Sequence, residues 1–342
     1  MYLAINPIAF GIGPLQVHWY GIILGTAALI GLLLAIQEGK RFGMNPDFYM
    51  DLVLLGVPSA IIGARIYYVA FKWEDYKDNL PQVFAVWNGG IAIYGALIGA
   101  ILATVFYVRR KGYSFWRIVD VCAPGLIVGQ AIGRWGNFIN QEAHGGPVSE
   151  AFLRNSLHLP DFIVNQMYID GQFYHPTFLY ESLWNIAGLL LLFWLRRRPF
   201  LRAGELFMSY FVWYSIGRFF IEAFRTDSLD FTGPAWLAAL MNGLWAPMHW
   251  LGFEQGFMTY GGNVRISQLL AVLIVIAAFA LMIYRRKSGA AAERYADPIV
   301  PIGGAKAEGD NSEAATETKS ESNVVEASTD KEETVKPEEK LL

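Results

Sequence analysis

The sequence between residues 133 and 146, GRWGNFINQEAHGG, carries side chains that could bind an anion. Its polar members are crowded near the end of a predicted helix, and they are Arg134, Asn137, Asn140, Glu142 and His144. A guanidinium stays charged and binds phosphate through two parallel hydrogen bonds. A helix end also offers free backbone groups to an anion. These residue types at this spacing predict a phosphate-binding site.

A second polar group follows a helical spacing further along the chain. Tyr214, Arg218, Glu222 and Arg225 are separated by four, four and three residues, which places them on one face of a helix. Several arginines at one depth suit the phosphate of a lipid. A plainer interpretation is that Arg218 and Glu222 form an ion pair that only neutralises itself.

The elements that must position these residues are predicted to be membrane-spanning helices. The chain is 54% hydrophobic and only 17% charged, whereas a soluble globular domain carries about 25% charged residues. Seven apolar stretches are long enough, or nearly so, to cross the roughly 30 Å of hydrocarbon in a bilayer. They cover residues 19–36, 50–72, 91–108, 118–138, 178–195, 204–224 and 266–284. Pro124 and several glycines interrupt the fourth stretch, which helix packing in lipid tolerates.

The predicted fold class is therefore an all-α polytopic membrane protein with seven transmembrane helices in residues 1–286. No basic segment with a cleavage site precedes the first stretch, so we expect no cleaved signal peptide. Basic residues follow the odd-numbered stretches, and they are Lys40 and Arg41, then Arg109, Arg110, Lys111 and Arg117, then Arg196, Arg197, Arg198 and Arg202, and last Arg285, Arg286 and Lys287. The positive-inside rule then predicts the N-terminus outside and the C-terminus inside.

Ionisable residues inside the predicted helices are informative because a charge at that depth is costly and marks a functional site by default. In the predicted orientation, Arg65, Arg134, Arg218 and Glu222 all fall in the outer half of the membrane. The inward-running helices begin with polar residues at the same depth, which are Tyr20, Tyr94, Tyr180 with Glu181, and Ser267 with Gln268. A site near the outer face is the simplest explanation.

Plainer interpretations exist for single members of this set. Arg65 could extend its side chain to the outer headgroups, and Tyr20 or Tyr94 could be an interfacial anchor. His175, which precedes Pro176 at the start of the fifth helix, could simply be a helix-start residue. These interpretations do not explain why three membrane arginines share one depth.

Two regions lie outside the predicted spanning segments. Residues 225–265 contain three tryptophans but only short apolar runs, and we predict a small outward-facing head or lid on the membrane. Residues 287–342 are predicted to form a disordered, acidic cytoplasmic tail, because so polar a composition buries too little apolar surface to fold. Cys122 is the single cysteine, which excludes an internal disulfide and a multi-cysteine metal site.

Several function classes lack their sequence marks. The chain has no phosphate-binding Walker loop, no dinucleotide fingerprint and no metal-ligand cluster, so we expect no cofactor and no metal. We expect no nucleic-acid partner. A lipid transporter also needs arginines at headgroup depth, but no internal repeat is present. An intramembrane hydrolase is disfavoured because Ser267 has no evident partner base and no Gly-x-Ser-x-Gly elbow occurs.

The run GRWGNFINQEAHG resembles the signature of the prolipoprotein diacylglyceryl transferases, integral membrane enzymes of bacteria. Other motifs agree in order and spacing, namely VHWYG in the first helix, GARIYYV in the second, WNGGIAIYGALIGA in the third, HPTFLYE in the fifth and YSIGRFFIEAFR in the sixth. The resemblance covers residues 1–286 and leaves out the tail.

This resemblance implies an activity and its partners. Such enzymes move the diacylglyceryl group of phosphatidylglycerol onto the thiol of the lipobox cysteine in a prolipoprotein signal peptide. The products are a thioether and glycerol phosphate. The enzymes work at the outer face of the bacterial cytoplasmic membrane, which agrees with the depth of the polar residues.

The resemblance also implies roles for individual residues. Arg134 and Arg218 are the leading candidates to stabilise the charge that gathers on the leaving glycerol phosphate. The residues expected to shape the phosphatidylglycerol pocket are Asn137, Asn140, Glu142, Gly145, Tyr20, Tyr214 and Glu222, and Glu222 would hold Arg218 in place. Arg65, Arg225 and His175 complete the predicted lipid-binding set.

One position departs from the family pattern. Many members carry a histidine where this chain has Tyr94, and that histidine is often assigned as the base. Tyrosine has a reference pKa of about 10 against about 6.5 for histidine, so it is a poor base at neutral pH. Either Tyr94 only hydrogen-bonds the substrate, or another group such as Glu142 takes the thiol proton. The sequence leaves the base unassigned.

Overall fold

The computed structural model of the chain describes residues 4–13, 15–258 and 260–301. These residues are mostly helical. Their α-helices are α1 (Trp19–Arg41), α2 (Pro46–Phe71), α3 (Ile93–Arg110), α4 (Phe115–Asn140), α5 (Asp161–Gln166), α6 (Thr177–Leu195), α7 (Glu205–Glu222), α8 (Ala235–Trp250) and α9 (Ile266–Lys287).

The long helices coincide with the predicted apolar stretches, which correspond to α1, α2, α3, α4, α6, α7 and α9. Six of them are long and apolar enough to cross a membrane, counted over the described residues. The seventh, α7, has 18 residues and carries the charged side chains Glu205, Arg218 and Glu222. The chain is thus a helical, multi-pass membrane protein, while the seventh span and the orientation stay predictions.

Short strands connect the helices at one end of the bundle. They are β1 (Ile8–Ile12), β2 (Leu15–His18), β3 (Pro147–Val148), β4 (Tyr168–Ile169), β5 (Gln172–Tyr174), β6 (Asp230–Phe231) and β7 (Val264–Arg265). β1 pairs with β2, β5 lies between β3 and β4, and β6 pairs with β7, all antiparallel. We call the end of the bundle that carries these strands the polar end, because Arg134 and Arg218 lie towards it. The opposite end, which carries Arg41, Arg110 and Arg286, is the basic end.

Helix α4 is the central helix of the bundle and packs against α1, α6 and α7. It runs for 26 residues without a break through Pro124, so the predicted interruption does not end it. Gly31 of α1 and Gly125 of α4 let the two backbones meet, since a Cβ at Gly125 would lie 2.7 Å from the Gly31 carbonyl oxygen. Small residues allow such close helix contact in a membrane protein.

Helices α6 and α7 are joined by two tryptophans. The rings of Trp184 and Trp213 stack with centroids 4.3 Å apart. Each indole N–H donates to the backbone carbonyl of the other tryptophan at 2.9 Å. Gly188 and Gly217 leave room for these rings, because a Cβ at either would lie within 2.4 Å of an indole atom. This reciprocal contact fixes the two helices that carry Glu181 and Arg218.

The structure differs from the predicted start of the disordered tail at residue 287. Residues 288–301 pack across the basic end, and Tyr295 is only 1% exposed. Its hydroxyl donates to Glu38 of α1 at 2.8 Å, and Arg117 of α4 donates to the carbonyls of Arg294 and Asp297. We call residues 288–301 the strap. The buried side chains of Ala291, Tyr295 and Ile299 and these three hydrogen bonds, two of them to backbone carbonyls, order the strap. The rest of the predicted tail, 302–342, lies outside the described residues.

Candidate active site

The polar end of α4 closes on itself around Glu142. The helix ends at Asn140, and Gln141 and Ala143 adopt left-handed backbone conformations with φ of 54° and 57°. This turn brings the Glu142 carboxylate back to α4, where its Oε1 accepts from Asn137 Nδ2 at 2.9 Å and from Asn140 Nδ2 at 3.5 Å. Three of the predicted pocket residues therefore lie together.

Glu181 of α6 joins the two predicted catalytic arginines. Its carboxylate forms an ion pair with Arg134 Nε of α4 and accepts from Arg218 Nη1 of α7 at 2.9 Å. Arg134 also donates to Asn137 Oδ1 at 3.3 Å, which ties it to the Glu142 turn. The structure therefore brings Arg134 and Arg218 together through a single buried carboxylate.

Glu222 holds Arg218 from the same helix, as predicted. Its Oε2 lies 2.5 Å from Arg218 Nη2, one helical turn away. Ser267 at the start of α9 donates its hydroxyl to the other oxygen of Glu222 at 2.9 Å. We call Arg134, Glu181, Arg218 and Glu222 the arginine–glutamate cluster. Three helices, α4, α6 and α7, contribute to it, and Ser267 of α9 bonds to it.

Burial divides this cluster into an inner and an outer layer. The side chains of Glu181 and Glu222 are 6% and 3% exposed, whereas those of Arg134 and Arg218 are 20% and 22% exposed. The guanidinium groups are therefore the accessible part. Two positive and two negative groups give the cluster no formal net charge. Cations presented in front of buried carboxylates can bind an anionic headgroup.

Gly145 lies where three chain segments cross at the polar end. Its N–H donates to the His175 carbonyl, and the Gly146 N–H donates to the Phe224 carbonyl, both at 3.0 Å. A Cβ at Gly145 would lie 2.6 Å from the His175 Cβ, so only glycine fits without a shift. The backbones of Gly145 and Arg225 also form an isolated antiparallel β-bridge. The Arg225 guanidinium donates to the two Asp227 carboxylate oxygens, from Nε at 2.8 Å and from Nη2 at 2.6 Å.

His175 is an uncharged residue in this crossing. Its Nδ1 lies 3.2 Å from the Tyr180 hydroxyl, and its ring contacts Phe152 and Phe224. Burial lowers the pKa of His175 to about 4. A neutral imidazole cannot pair with phosphate as a cation, so its predicted lipid contact would be a hydrogen bond.

The predicted tyrosines have separate surroundings. The Tyr20 ring of α1 packs on Gly136 of α4, within two residues of Arg134. Tyr214 stacks on Tyr210 of the same helix at 6.1 Å between centroids. Tyr94 is 55% exposed at the start of α3, and its ring lies 6.3 Å from that of Tyr67 on α2. The contacts of Tyr94 are thus with the α2–α3 pair, whereas Tyr20 adjoins α4.

Arg65 has a set of contacts that sequence reasoning did not consider. It is 6% exposed, and its guanidinium donates to the carbonyls of Gln82, Val83, Gly89 and Gly90 at 2.5–2.8 Å. It also lies over the ring of Tyr76, 5.0 Å from the centroid. These bonds hold the 73–90 loop onto α2. A role in binding lipid stays a prediction.

Sequence reasoning predicted Glu181 at the same depth as the arginines but did not include it in the site. It occurs in the HPTFLYE motif, four residues into α6. Spacing arguments compare residues on one helix, and Glu181 meets arginines from two other helices. The signal in the sequence was an acidic residue within a predicted spanning helix, at the same predicted depth as Arg134 and Arg218. Among the described residues no group of three metal-binding side chains is assembled.

Comparison with known proteins agrees with the motifs. The family model described as prolipoprotein diacylglyceryl transferase matches residues 7–284. A phosphatidylglycerol–prolipoprotein diacylglyceryl transferase of Bacillus velezensis is 51% identical over 293 residues, which cover 86% of this chain and 97% of the relative. Proteins of the same name from Bacillus licheniformis and Geobacillus kaustophilus are each 50% identical, over 85% and 84% of this chain and 96% and 94% of their own lengths.

Proposed function

The chain belongs to the prolipoprotein diacylglyceryl transferase family, and we propose that it transfers the diacylglyceryl group of phosphatidylglycerol to a prolipoprotein cysteine. The acceptor is the lipobox cysteine of a signal peptide. Its sulfur displaces the phosphate oxygen from the glyceryl carbon, which forms a thioether and releases glycerol phosphate. The thiolate form is the competent nucleophile.

The observation that supports this proposal is the arginine–glutamate cluster. As the C–O bond breaks, negative charge gathers on the glycerol phosphate. Arg134 and Arg218 present partly exposed guanidinium groups that buried carboxylates already orient. Preorganised charge of this kind contributes on the order of 10²–10³ to a rate for each donor. These two arginines are the proposed catalytic residues.

The other predicted residues are proposed to shape the lipid pocket around this cluster. Asn137 and Asn140 orient Glu142, and Gly145 allows the chain crossing beside it. The Tyr20 ring of α1 packs on Gly136 of α4, two residues from Arg134 in the chain. Tyr214, Arg225, Arg65 and His175 complete the proposed set. The base that accepts the thiol proton is not assigned by these residues, and Glu142 is one candidate for it.

The polar end is proposed to face outward. Basic residues occupy the last turns of α1, α3 and α9, which are Lys40, Arg41, Arg109, Arg110, Arg285, Arg286 and Lys287. The positive-inside rule assigns that end to the cytoplasm. With α7 as a seventh span, the N-terminus is outside, the C-terminus is inside and the cluster faces the outer leaflet of the bacterial cytoplasmic membrane.

Residues 225–265 are proposed to rest on the outer leaflet as the head. Helix α8 carries no Asp, Glu, Lys or Arg, and its apolar side chains lie on two faces. One face is buried, with Leu237, Met241 and Trp245 packed on the core, whereas Trp236, Leu240 and Leu244 are 68%, 46% and 42% exposed. Leu244 lies beside Phe219, Val272 and Ile276 along an apolar groove between α7 and α9. An apolar face continuous with spanning helices belongs in lipid.

Thioether formation by the purified protein tests the proposal. The full chain in nanodiscs is mixed with phosphatidylglycerol and a lipobox peptide, and the peptide mass is followed. We expect a gain of one diacylglyceryl group, and we expect Arg134→Ala to abolish it.

Arg154→Ala is the matched control, because Arg154 also pairs with two carboxylates, Glu150 and Asp161, away from the cluster. This variant should keep the activity. No mass gain with folded wild-type protein would contradict the proposal and favour lipid transport without a covalent product.

A further inference from the structure

Both arginines proposed to bind phosphate are already paired within the described structure. Arg134 meets Glu181, and Arg218 meets Glu181 and Glu222. A phosphodiester headgroup would add a negative charge to a cluster that is neutral and mostly buried. Burying an uncompensated charge is costly. Either a carboxylate gives up its arginines when the lipid binds, or it loses its own charge.

The two carboxylates differ in what else holds them. Glu222 accepts a hydrogen bond from Ser267 of α9, so it stays bound when Arg218 turns away. The hydrogen-bond and ion-pair partners of Glu181 in the described part of the chain are Arg134 and Arg218 themselves. Its Oε2 is fully buried and forms an ion pair with Arg134 Nε, but the geometry of this contact is not that of a hydrogen bond. Glu181 is therefore the carboxylate that depends entirely on the arginines.

We propose that Glu181 holds the place of the lipid phosphate in the free protein and becomes the proton acceptor for the acceptor thiol once phosphate binds. This inference rests on the proposed function. Phosphate takes over the inward-facing donors of Arg134 and Arg218, and Glu181 is left buried without a donor. A buried carboxylate without a cationic partner favours its protonated form. The lipid itself thus activates the base.

The step balances in atoms and charge. The thiol proton passes to a Glu181 oxygen, and the sulfur electron pair forms the bond to the glyceryl carbon. The bond between that carbon and the phosphate oxygen breaks, and its electron pair stays on the released glycerol phosphate, beside Arg134 and Arg218. When the product leaves, Glu181 returns the proton to phosphate or solvent and pairs with the arginines again.

Other groups fit this role less well. Glu142 is exposed and already accepts from Asn137 and Asn140. Tyr94 contacts the α2–α3 pair. The charged groups around Glu181 are Arg134 from α4 and Arg218, Glu222 and Arg225 from α7 and its end. Glu181 and Glu222 are the two carboxylates among them, so the pH dependence of the rate is compared between one variant of each.

The test compares Glu181→Gln with Glu222→Gln in the full chain in nanodiscs. Phosphatidylglycerol binding is measured without peptide, and thioether formation is measured across pH 5–9, a range chosen to cover the reference values on both sides of neutrality. Because glutamine removes the competing charge, we expect Glu181→Gln to bind the lipid several-fold more tightly. Because it cannot take a proton, we expect kcat to fall about 10²–10⁴-fold, with loss of the acidic limb of the pH profile. Glu222→Gln should keep that limb.

Two results would overturn the inference. One is weaker lipid binding by folded Glu181→Gln, which would make Glu181 a positioning residue for the arginines. The other is a kcat and pH profile like those of the wild type. If Glu181→Gln does not fold, Glu181→Asp tests the inference instead. It should retain the acidic limb of the pH profile and bind phosphatidylglycerol at least as tightly as the wild type, and failure of either would overturn the inference. A wild-type chain that makes no thioether contradicts the proposed function itself, which is a distinct outcome.

Discussion

The polar end and the basic end of the bundle both bury carboxylates against arginines, but Glu181 at the polar end is held differently from Glu38 and Glu205 at the basic end. At the basic end, Glu38 pairs with Arg196 at 2.9 Å and also accepts from the Tyr295 hydroxyl at 2.8 Å. Glu205 pairs with Arg286 and also accepts from the Arg202 N–H at 3.0 Å. At the polar end, Glu181 has only its arginines as bonded partners among the described residues.

This difference shows how the same residue types can be structural in one place and reactive in another. A carboxylate with a neutral donor remains satisfied when an arginine moves, so the pair serves as a fixed cross-link. A carboxylate bound by arginines alone responds to anything that draws those arginines away. Residue type and burial do not separate the two cases, whereas the full set of donors does.

The largest expected effect separates the two ends by activity. Arg218→Lys removes the second donor of the fork that contacts both Glu181 and Glu222, and a point charge cannot replace that geometry. We expect thioether formation to fall by about 10²-fold or more. Arg196→Lys, the matched change at the basic end, should leave the rate close to that of the wild type. Equal losses in both variants would erase the distinction between the ends.

The second prediction concerns stability at the basic end. Tyr295→Ala empties a buried site in the strap and removes the donor to Glu38. We expect it to lower the free energy of unfolding by about 3–5 kcal/mol, measured by thermal unfolding in detergent. A chain that ends at residue 301 should match the full chain, because every described strap contact is kept. Unchanged stability of Tyr295→Ala would contradict the assigned role of the strap.

A smaller effect is expected from pH at the polar end. Burial lowers the pKa of His175 to about 4, against an ordinary value of about 6.5. The folded state therefore favours neutral His175, and its contribution is fully present above about pH 6.5 and is lost as the pH falls towards 4. We expect the melting temperature of the wild type to drop between pH 7 and 5. The drop should be smaller in His175→Gln and unchanged in His249→Gln, an exposed histidine of α8.

The smallest expected effect is that of Tyr94→Phe. The Tyr94 ring contacts Tyr67, away from the bonded groups of the cluster. We expect appreciable turnover to remain, within about tenfold of the wild type, since only a hydrogen bond to substrate is at stake. Near-complete loss of thioether formation in a folded variant would place Tyr94 among the proton acceptors and weaken the case for Glu181.

Much of the fold was predictable because its signals are local. Apolar runs of about 20 residues predict spanning helices wherever they lie in the chain, and the helices from α1 to α9 coincide with them except for the short α5 and α8. The tail boundary was placed too early, because residues 288–301 carry apolar side chains that pack on the bundle, with Ala291, Tyr295 and Ile299 buried. A composition averaged over residues 287–342 does not register these few apolar residues.

Composition and motifs predicted the class of the protein and its family, and the helix pattern predicted a common depth for its charges. Which of these charges meet could be read only from the packing of the helices. Arg134, Glu181 and Arg218 lie on three helices and are separated by 47 and 37 residues, so no periodicity links them. The same holds for Arg65, whose guanidinium binds loop carbonyls 17 to 25 residues away in the chain. Side-chain spacing within a helix follows from its pitch, whereas contacts between helices depend on how their glycines and tryptophans let them pack.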